Sequence, residues 1–290
     1  MPDRNFFAAK RNKRNKSLRL HRHSPSPIKH PDHSRVYFAS CILGMLCPIL
    51  LSAQRDSISA GLYSWREPAK QTSKGISSAS LFEGTTFDMT WLQMSANSIA
   101  SAKAKMTINI PDNEEHLLII KSGTLAIGRD SVYSLSTGSV ALFMPGETYV
   151  LQNNGNERCD YYLMKYVSKG PVDMQRANNS GGSLIKDWNS VEFKPHDKGG
   201  RRDFFERPTA LCKRFEMHET TLKAGLKSHD PHTHRAAEII VVVHGNTEMQ
   251  IGDKFYKGTK GSVYYLPSNI LHGIRNIGVE DCSYFAFQFE

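Results

Sequence analysis

From Phe87 onward the chain alternates short apolar runs with turn residues, and no helical period runs through it. Leu117 to Ile120, Thr124 to Ile127, Val140 to Met144 and Tyr161 to Val167 all have strand length, with Gly, Asn, Asp and Pro marking the gaps. The same texture returns after Pro195. His116 to Gly123 (HLLIIKSG) lies over Glu238 to Gly245 (EIIVVVHG), and Gly138 to Gly155 over Gly261 to Gly278. Gly123 to Pro145 and Gly245 to Pro267 are both 22 positions apart, so an offset of 122 relates the two pairs. The pattern predicts an all-β protein built from two copies of one antiparallel unit. Residues 54–86, rich in Ser and Gly and poor in aliphatics, read as an arm; 87–167 are the first unit. Residues 168–192, rich in Gly, Asn and Ser, read as a linker. Residues 193–290 are the second unit.

The candidate chemistry lies in the second copy. His232 and His234 are two apart, so on an extended strand both imidazoles leave one face. Glu238 follows four positions later, just before the aliphatic run Ile239 to Val243, and His272 closes the stretch Gly261 to Asn276. Three imidazoles and one carboxylate suit a borderline divalent metal. Manganese is the first choice, and iron, nickel, zinc and copper accept the same donors.

These residues resemble the two motifs of the cupin family. His232, His234, Glu238 and Gly245 stand at the spacing of the first motif, with its leading glycine, Gly225, one position early. Gly261, Pro267, His272 and Asn276 stand at the spacing of the second, with Asn269 where the family has glycine. Asn tolerates a left-handed turn better than most residues. The resemblance covers about residues 87–167 and 193–289. It implies two tandem jelly-roll (double-stranded β-helix) barrels, a bicupin. The offset places Ile110, Asp112, His116 and Val150 of the first copy opposite the four ligands, too few donors for a tight site. The first barrel is therefore expected to be structural and the second to bind metal.

Charge changes the picture only at the N-terminus. The formal charge of +9 suggests nucleic acid, but residues 1–53 hold ten Lys and Arg against two Asp. The rest holds 27 basic and 26 acidic side chains, so the folded part is nearly neutral and no nucleic-acid partner is expected. The basic run Lys10 to Lys16, the apolar stretch Val36 to Leu51 and the small residues Ser52-Ala53 read as a secretory signal peptide. Cleavage near Ala53-Gln54 would send the chain to the periplasm or outside, with no membrane attachment afterwards. An uncleaved anchor is the alternative. Beyond the leader remain Cys159, Cys212 and Cys282, an odd number that implies no disulfide framework.

Around the metal, Arg214, Glu216 and His218 alternate with Phe215 and Met217, and one of these faces lines the barrel lumen. Gln250 alternates with Met249 and Ile251 in the same way, and Tyr265 and Arg275 flank the second motif. These six polar residues are the candidates for binding or proton transfer, and an Arg suits a substrate carboxylate. The segment Pro195 to Pro208 reads as a lid or an inter-barrel strap. The resemblance extends to ureidoglycine aminohydrolase-like bicupins, which implies a metal-dependent hydrolase on a ureido acid; an isomerase on a sugar acid fits equally. A non-catalytic sugar or sugar-acid carrier, a quercetinase-like dioxygenase and a storage globulin are the other readings, and a second copy of the chain is admitted as a partner.

Overall fold

The computed structural model describes residues 55–67, 75–100 and 104–290. The leader and its cleavage site lie outside the described residues. The chain runs through β1 (Gly61–Ser64), β2 (Ile76–Gly84), β3 (Met89–Ile99), β4 (Lys105–Asn109), β5 (Glu115–Ser122), β6 (Leu125–Gly128), β7 (Val132–Leu135), β8 (Val140–Phe143), β9 (Thr148–Gln152) and β10 (Cys159–Ser168). A short helix α1 (Met174–Asn179), β11 (Leu184–Lys186) and a 3-10 turn at Trp188–Ser190 connect to the second half. There follow β12 (Lys194–His196), β13 (Gly199–Arg207), β14 (Phe215–Leu222), β15 (Ala237–His244), β16 (Asn246–Ile251), β17 (Lys254–Thr259), β18 (Ser262–Leu266), β19 (His272–Asn276) and β20 (Cys282–Phe289). Among the described residues no helix is long and apolar enough to cross a membrane.

Each half is a large sheet facing a small one. The order β11-β8-β5-β10-β3-β2 faces β4-β9-β6-β7, and β1-β18-β15-β20-β14-β13-β12 faces β17-β16-β19. This is the jelly-roll pair that the duplicated pattern predicts. The outermost strands revise the expected borders. β1, from the presumed arm, pairs with β18 of the second half, while β2 pairs with β3 of the first. β11, from the presumed linker, pairs with β8 of the first half. Each barrel thus takes an edge strand from the segment leading into the other. These strands are short or partly exposed, so they lack the aliphatic runs by which the inner strands announce themselves.

The inner strands are buried on both faces, and the alternation shows why. In β5, Leu117 and Ile119 face the other barrel while Leu118 and Ile120 fill the first lumen. In β15, Ile239 and Val241 face the seam while Ile240 and Val242 fill the second lumen. The two large sheets therefore pack back to back, and Phe215, Met217, Phe285, Phe287 and Phe289 complete the seam with Leu92, Met94 and Met164.

The duplication extends to hydrogen bonds. Asn153 donates through Nδ2 to the Ile99 and Glu157 carbonyls and accepts from Gly155 N; Asn276 does the same with Leu222, Glu280 and Gly278. These pairs are offset by 123, whereas β5 and β15 remain at 122, because a loop between them gains a residue. The shift corrects the counterparts of the ligands. Ile108 pairs with Tyr149 as His232 pairs with His272, and Gly146 N donates to Ile110 O as Asn269 N donates to His234 O. Ile108, Ile110, His116 and Tyr149 thus occupy the places of His232, His234, Glu238 and His272. Asp112 and Val150 do not.

Candidate metal centre

His272 opens β19, and its backbone exchanges both hydrogen bonds with His232, at 2.9 and 3.0 Å. This bridge ties the loop before β15 to the second motif and sets the two imidazoles side by side, ring centroids 4.7 Å apart. His234 is fixed through its carbonyl, which accepts from Asn269 N at 2.8 Å. Asn269 stands at φ 62°, the left-handed turn for which the family motif has glycine. Glu238 lies on the lumen face of β15, in register with Ile240 and Val242.

The nitrogens of His232, His234 and His272 all lie within 4.8 Å of one another, the one such group among the described residues. Glu238 Oε2 is 3.3 Å from His234 Nε2 and 3.1 Å from His272 Nε2. His234 Nδ1 is 2.8 Å from the Ala236 carbonyl, and His272 Nδ1 is 2.8 Å from the Ile270 carbonyl. A carbonyl only accepts, so each Nδ1 must carry the proton, and each Nε2 turns a lone pair toward Glu238. Buried His272 Nε2 has no hydrogen-bond partner. Three lone-pair donors converging with no proton among them repel, unless the rings take a second proton or a cation sits between them. A divalent cation satisfies all of them, and the donors fit such an ion.

The electrostatics agree. Burial pushes the Glu238 carboxyl up, but His234 and His272, 3.3 and 3.1 Å from its Oε2, favour its charged form once protonated, more than offset the burial and hold it at about 2. His234 is raised by that same carboxylate. His232 is lowered, by burial first and then by the imidazoles of His229, His272 and His234. Cation and carboxylate forms therefore belong together here, which is the condition for exchanging a proton for a metal ion.

A cavity of about 370 Å³ opens beside these ligands inside the second barrel. Glu216 and His218 line it, because the apolar face of β14 is taken by the seam. His218 Nδ1 is 3.1 Å from Glu216 Oε1, and Arg201 Nη2 donates to the same oxygen at 2.8 Å. Arg214 stands beside the group, donating to Glu216 Oε2, to Glu206 at 2.9 Å and to Gln288 Oε1 at 3.2 Å. That last bond turns the Gln288 amide nitrogen toward His234 Nε2, 3.3 Å away. A continuous polar chain thus runs from His218 through Glu216, Arg214 and Gln288 to the metal-site histidine.

The other three candidates lie elsewhere. Tyr265 is buried in the seam, 5.8 Å from the Phe82 ring, because its neighbour Tyr264 takes the lumen face of β18. Arg275 and Gln250 are on the outer face of the small sheet. There Arg275 Nε donates to Glu248 at 2.8 Å and Gln250 donates to the Gly252 carbonyl, while Met249 points inward. Conversely, Arg201, Lys198 and His196 of the β12–β13 hairpin and His229 line the cavity. Sequence reading left them out; the one hint was the cationic texture of the segment from Pro195, and for His229 its place three residues before His232. In the first barrel, His116 is buried against Glu114 at 2.8 Å, and burial lowers its pKa.

Residues 218–287 match the cupin domain family model; the match runs from within β14 to within β20 and takes in His218, His232, His234, Glu238 and His272 but not Glu216, Arg201 or Gln288. No curated protein matches the chain in sequence. Solved structures share the fold across both halves. AerE from Microcystis aeruginosa is 16% identical with a TM-score of 0.58, over 79% of this chain and 99% of its own. YlbA from E. coli, of the DUF861 family, is 16% identical with a TM-score of 0.62, over 82% and 95%. The oxalate decarboxylase of Lactobacillus farciminis, solved as a formate complex, is 13% identical with a TM-score of 0.59, over 80% and 87%. The chain has the two-barrel cupin fold, with its metal-type donor set in the second barrel.

Proposed function

We propose that this chain is a metal-dependent enzyme acting on a small polar acid in the lumen of its second barrel, outside the cytoplasm, with His218 moving the proton. The carrying observation is that His232, Glu238 and His272, clustered with His234, and a His218–Glu216 dyad line one cavity. A divalent ion in that set supplies a Lewis acid that polarises a substrate oxygen or acidifies bound water.

The residues of the chain supply the rest. The hydrogen bond from His218 leads in lowering the Glu216 carboxyl; burial opposes it, Arg201 and Arg214 add to it, and the result is about 2. Glu216 therefore stays ionised at working pH and is no proton donor. It orients His218 by accepting from Nδ1, which leaves Nε2 as the base. A carrier has no use for such a dyad. Most of the lining is polar or charged, with Tyr284 its one Phe, Trp or Tyr ring, so a ureido acid or a sugar acid fits better than a flavonol-sized aromatic substrate. A related fold, an oxalate decarboxylase, was solved with formate, itself a small carboxylate. Hydrolysis or isomerisation without redox change follows, with Mn the preferred ion.

The test is turnover of ureido acids and unsaturated uronates under nitrogen, with Mn, Zn, Fe and Cu supplied in turn. Turnover is expected with Mn and no O₂, and His218→Gln should lower kcat by about 10²-fold or more. Activity confined to Fe or Cu in air, with O₂ consumed, or an unchanged kcat in His218→Gln, overturns the reading.

A further inference from the structure

The β12–β13 hairpin adds an edge to the second barrel and reaches over the metal cavity. His196 pairs with Gly199, so Asp197 and Lys198 form a two-residue turn. The turn is built tightly onto β14. Gly199 stands at φ +143°, and a Cβ there would lie 2.1 Å from the Thr221 carbonyl oxygen; one at Gly200 would lie 2.0 Å from the Phe193 ring. Lys223 N donates to the Lys198 carbonyl at 2.9 Å, and Lys223 Nζ to the Asp197 carbonyl at 2.8 Å. The backbone of Lys198 is thereby pinned at the mouth.

Its side chain is spent on no carboxylate. Lys198 Nζ donates to the Ser228 carbonyl at 2.8 Å, four residues before His232. The acid that feels its charge, Asp230, is exposed and already paired with Lys227. The other acids of the cavity are engaged: Glu216 by Arg201, Arg214 and His218, and Glu238 within the metal-type donor set. Half-buried Lys198 is thus an uncompensated cation facing the cavity, beside Arg201, whose Nη1 is not used in its bonds to Asp203 and Glu216. His196 lines the same rim.

We infer that the substrate is a small dianion: one acidic group faces the metal ligands, and a second anionic group is received by Lys198, with Arg201 and His196 beside it. This deepens the proposed function and rests on it for the first group only. A sphere of the cavity's volume is about 9 Å across, which admits an acid of four or five carbons extended between the two ends.

The experiment is isothermal titration calorimetry of the Mn-loaded full chain with succinate and with butyrate, which have equal carbon counts but one charge of difference. Succinate should bind about tenfold tighter. Lys198→Gln, which keeps a donor for the Ser228 carbonyl but no charge, should remove that gap and leave butyrate unchanged; Lys198→Ala should do the same. Equal binding of the two acids, equal weakening of both by Lys198→Gln, or no succinate binding at millimolar concentration overturns the inference. Chelated protein separates the two readings. Loss of both acids on chelation with no succinate preference sinks the dianion alone. A Lys198-dependent preference that survives chelation keeps the dianion and removes the metal from acid binding.

Discussion

Replacing Glu115 by Ala should destabilise the protein by about 3–5 kcal/mol, although Glu115 does not line the candidate cavity. The carboxylate is fully buried in the seam. It accepts from Tyr166 Oη of the first barrel, and from Thr209 Oγ1 at 2.8 Å and Leu211 N at 2.9 Å on the approach to β14. Removing it orphans three buried donors, each worth about 1–3 kcal/mol, while the carboxylate's own burial cost is recovered. Glu115→Gln is milder, about 1–2 kcal/mol, because an amide oxygen can still face Leu211 N and its NH₂ can donate to the two hydroxyls. The pH dependence has a definite sign. Burial raises the Glu115 pKa against the lowering effect of its hydrogen bonds. Its stabilising contribution is therefore complete below the ordinary carboxylate value, about 4.3, and is lost as pH rises through the raised folded value. The difference between wild type and Glu115→Gln should accordingly shrink as pH rises. Urea denaturation of the three proteins from pH 4 to pH 8 measures this. A loss below about 1 kcal/mol for Glu115→Ala, or a difference that grows with pH, would refute the reasoning.

Two further outcomes are expected. Elemental analysis should find one divalent ion per chain, lost in His234→Ala and His272→Ala and kept in His116→Ala; two ions per chain would mean that the first barrel also binds metal. N-terminal sequencing of protein from the native host should begin at or near Gln54 and come from outside the cytoplasm, whereas a cytoplasmic chain retaining Lys10 to Leu51 contradicts the signal-peptide reading.

The histidine cluster was legible in the chain because its information is local. His232 and His234 stand two residues apart in the loop before β15 and so arrive together, and Asn269 can stand at positive φ for the turn before His272. The duplicated aliphatic runs likewise disclosed two β units. Counterpart residues were less secure, since a one-residue change in loop length moves the offset from 122 to 123 and exchanges Val150 for Tyr149. What alternation alone leaves undetermined is which face looks where. The pattern of Arg214 to His218 is the same whether its polar side meets solvent or lumen, and that of Tyr264–Tyr265 or Met249–Gln250 is equally two-sided. Only the back-to-back packing of the large sheets breaks this symmetry. It buries Phe215, Met217 and Tyr265 in the seam, turning Glu216 and His218 into the lumen, while the small sheet, with no second sheet behind it among the described residues, leaves Gln250 and Arg275 outside. A side chain's face is chosen by whichever neighbour removes more apolar surface from water, and that neighbour here lies across the seam, far away in the chain, as Tyr166 is from Phe215 and Phe82 from Tyr265.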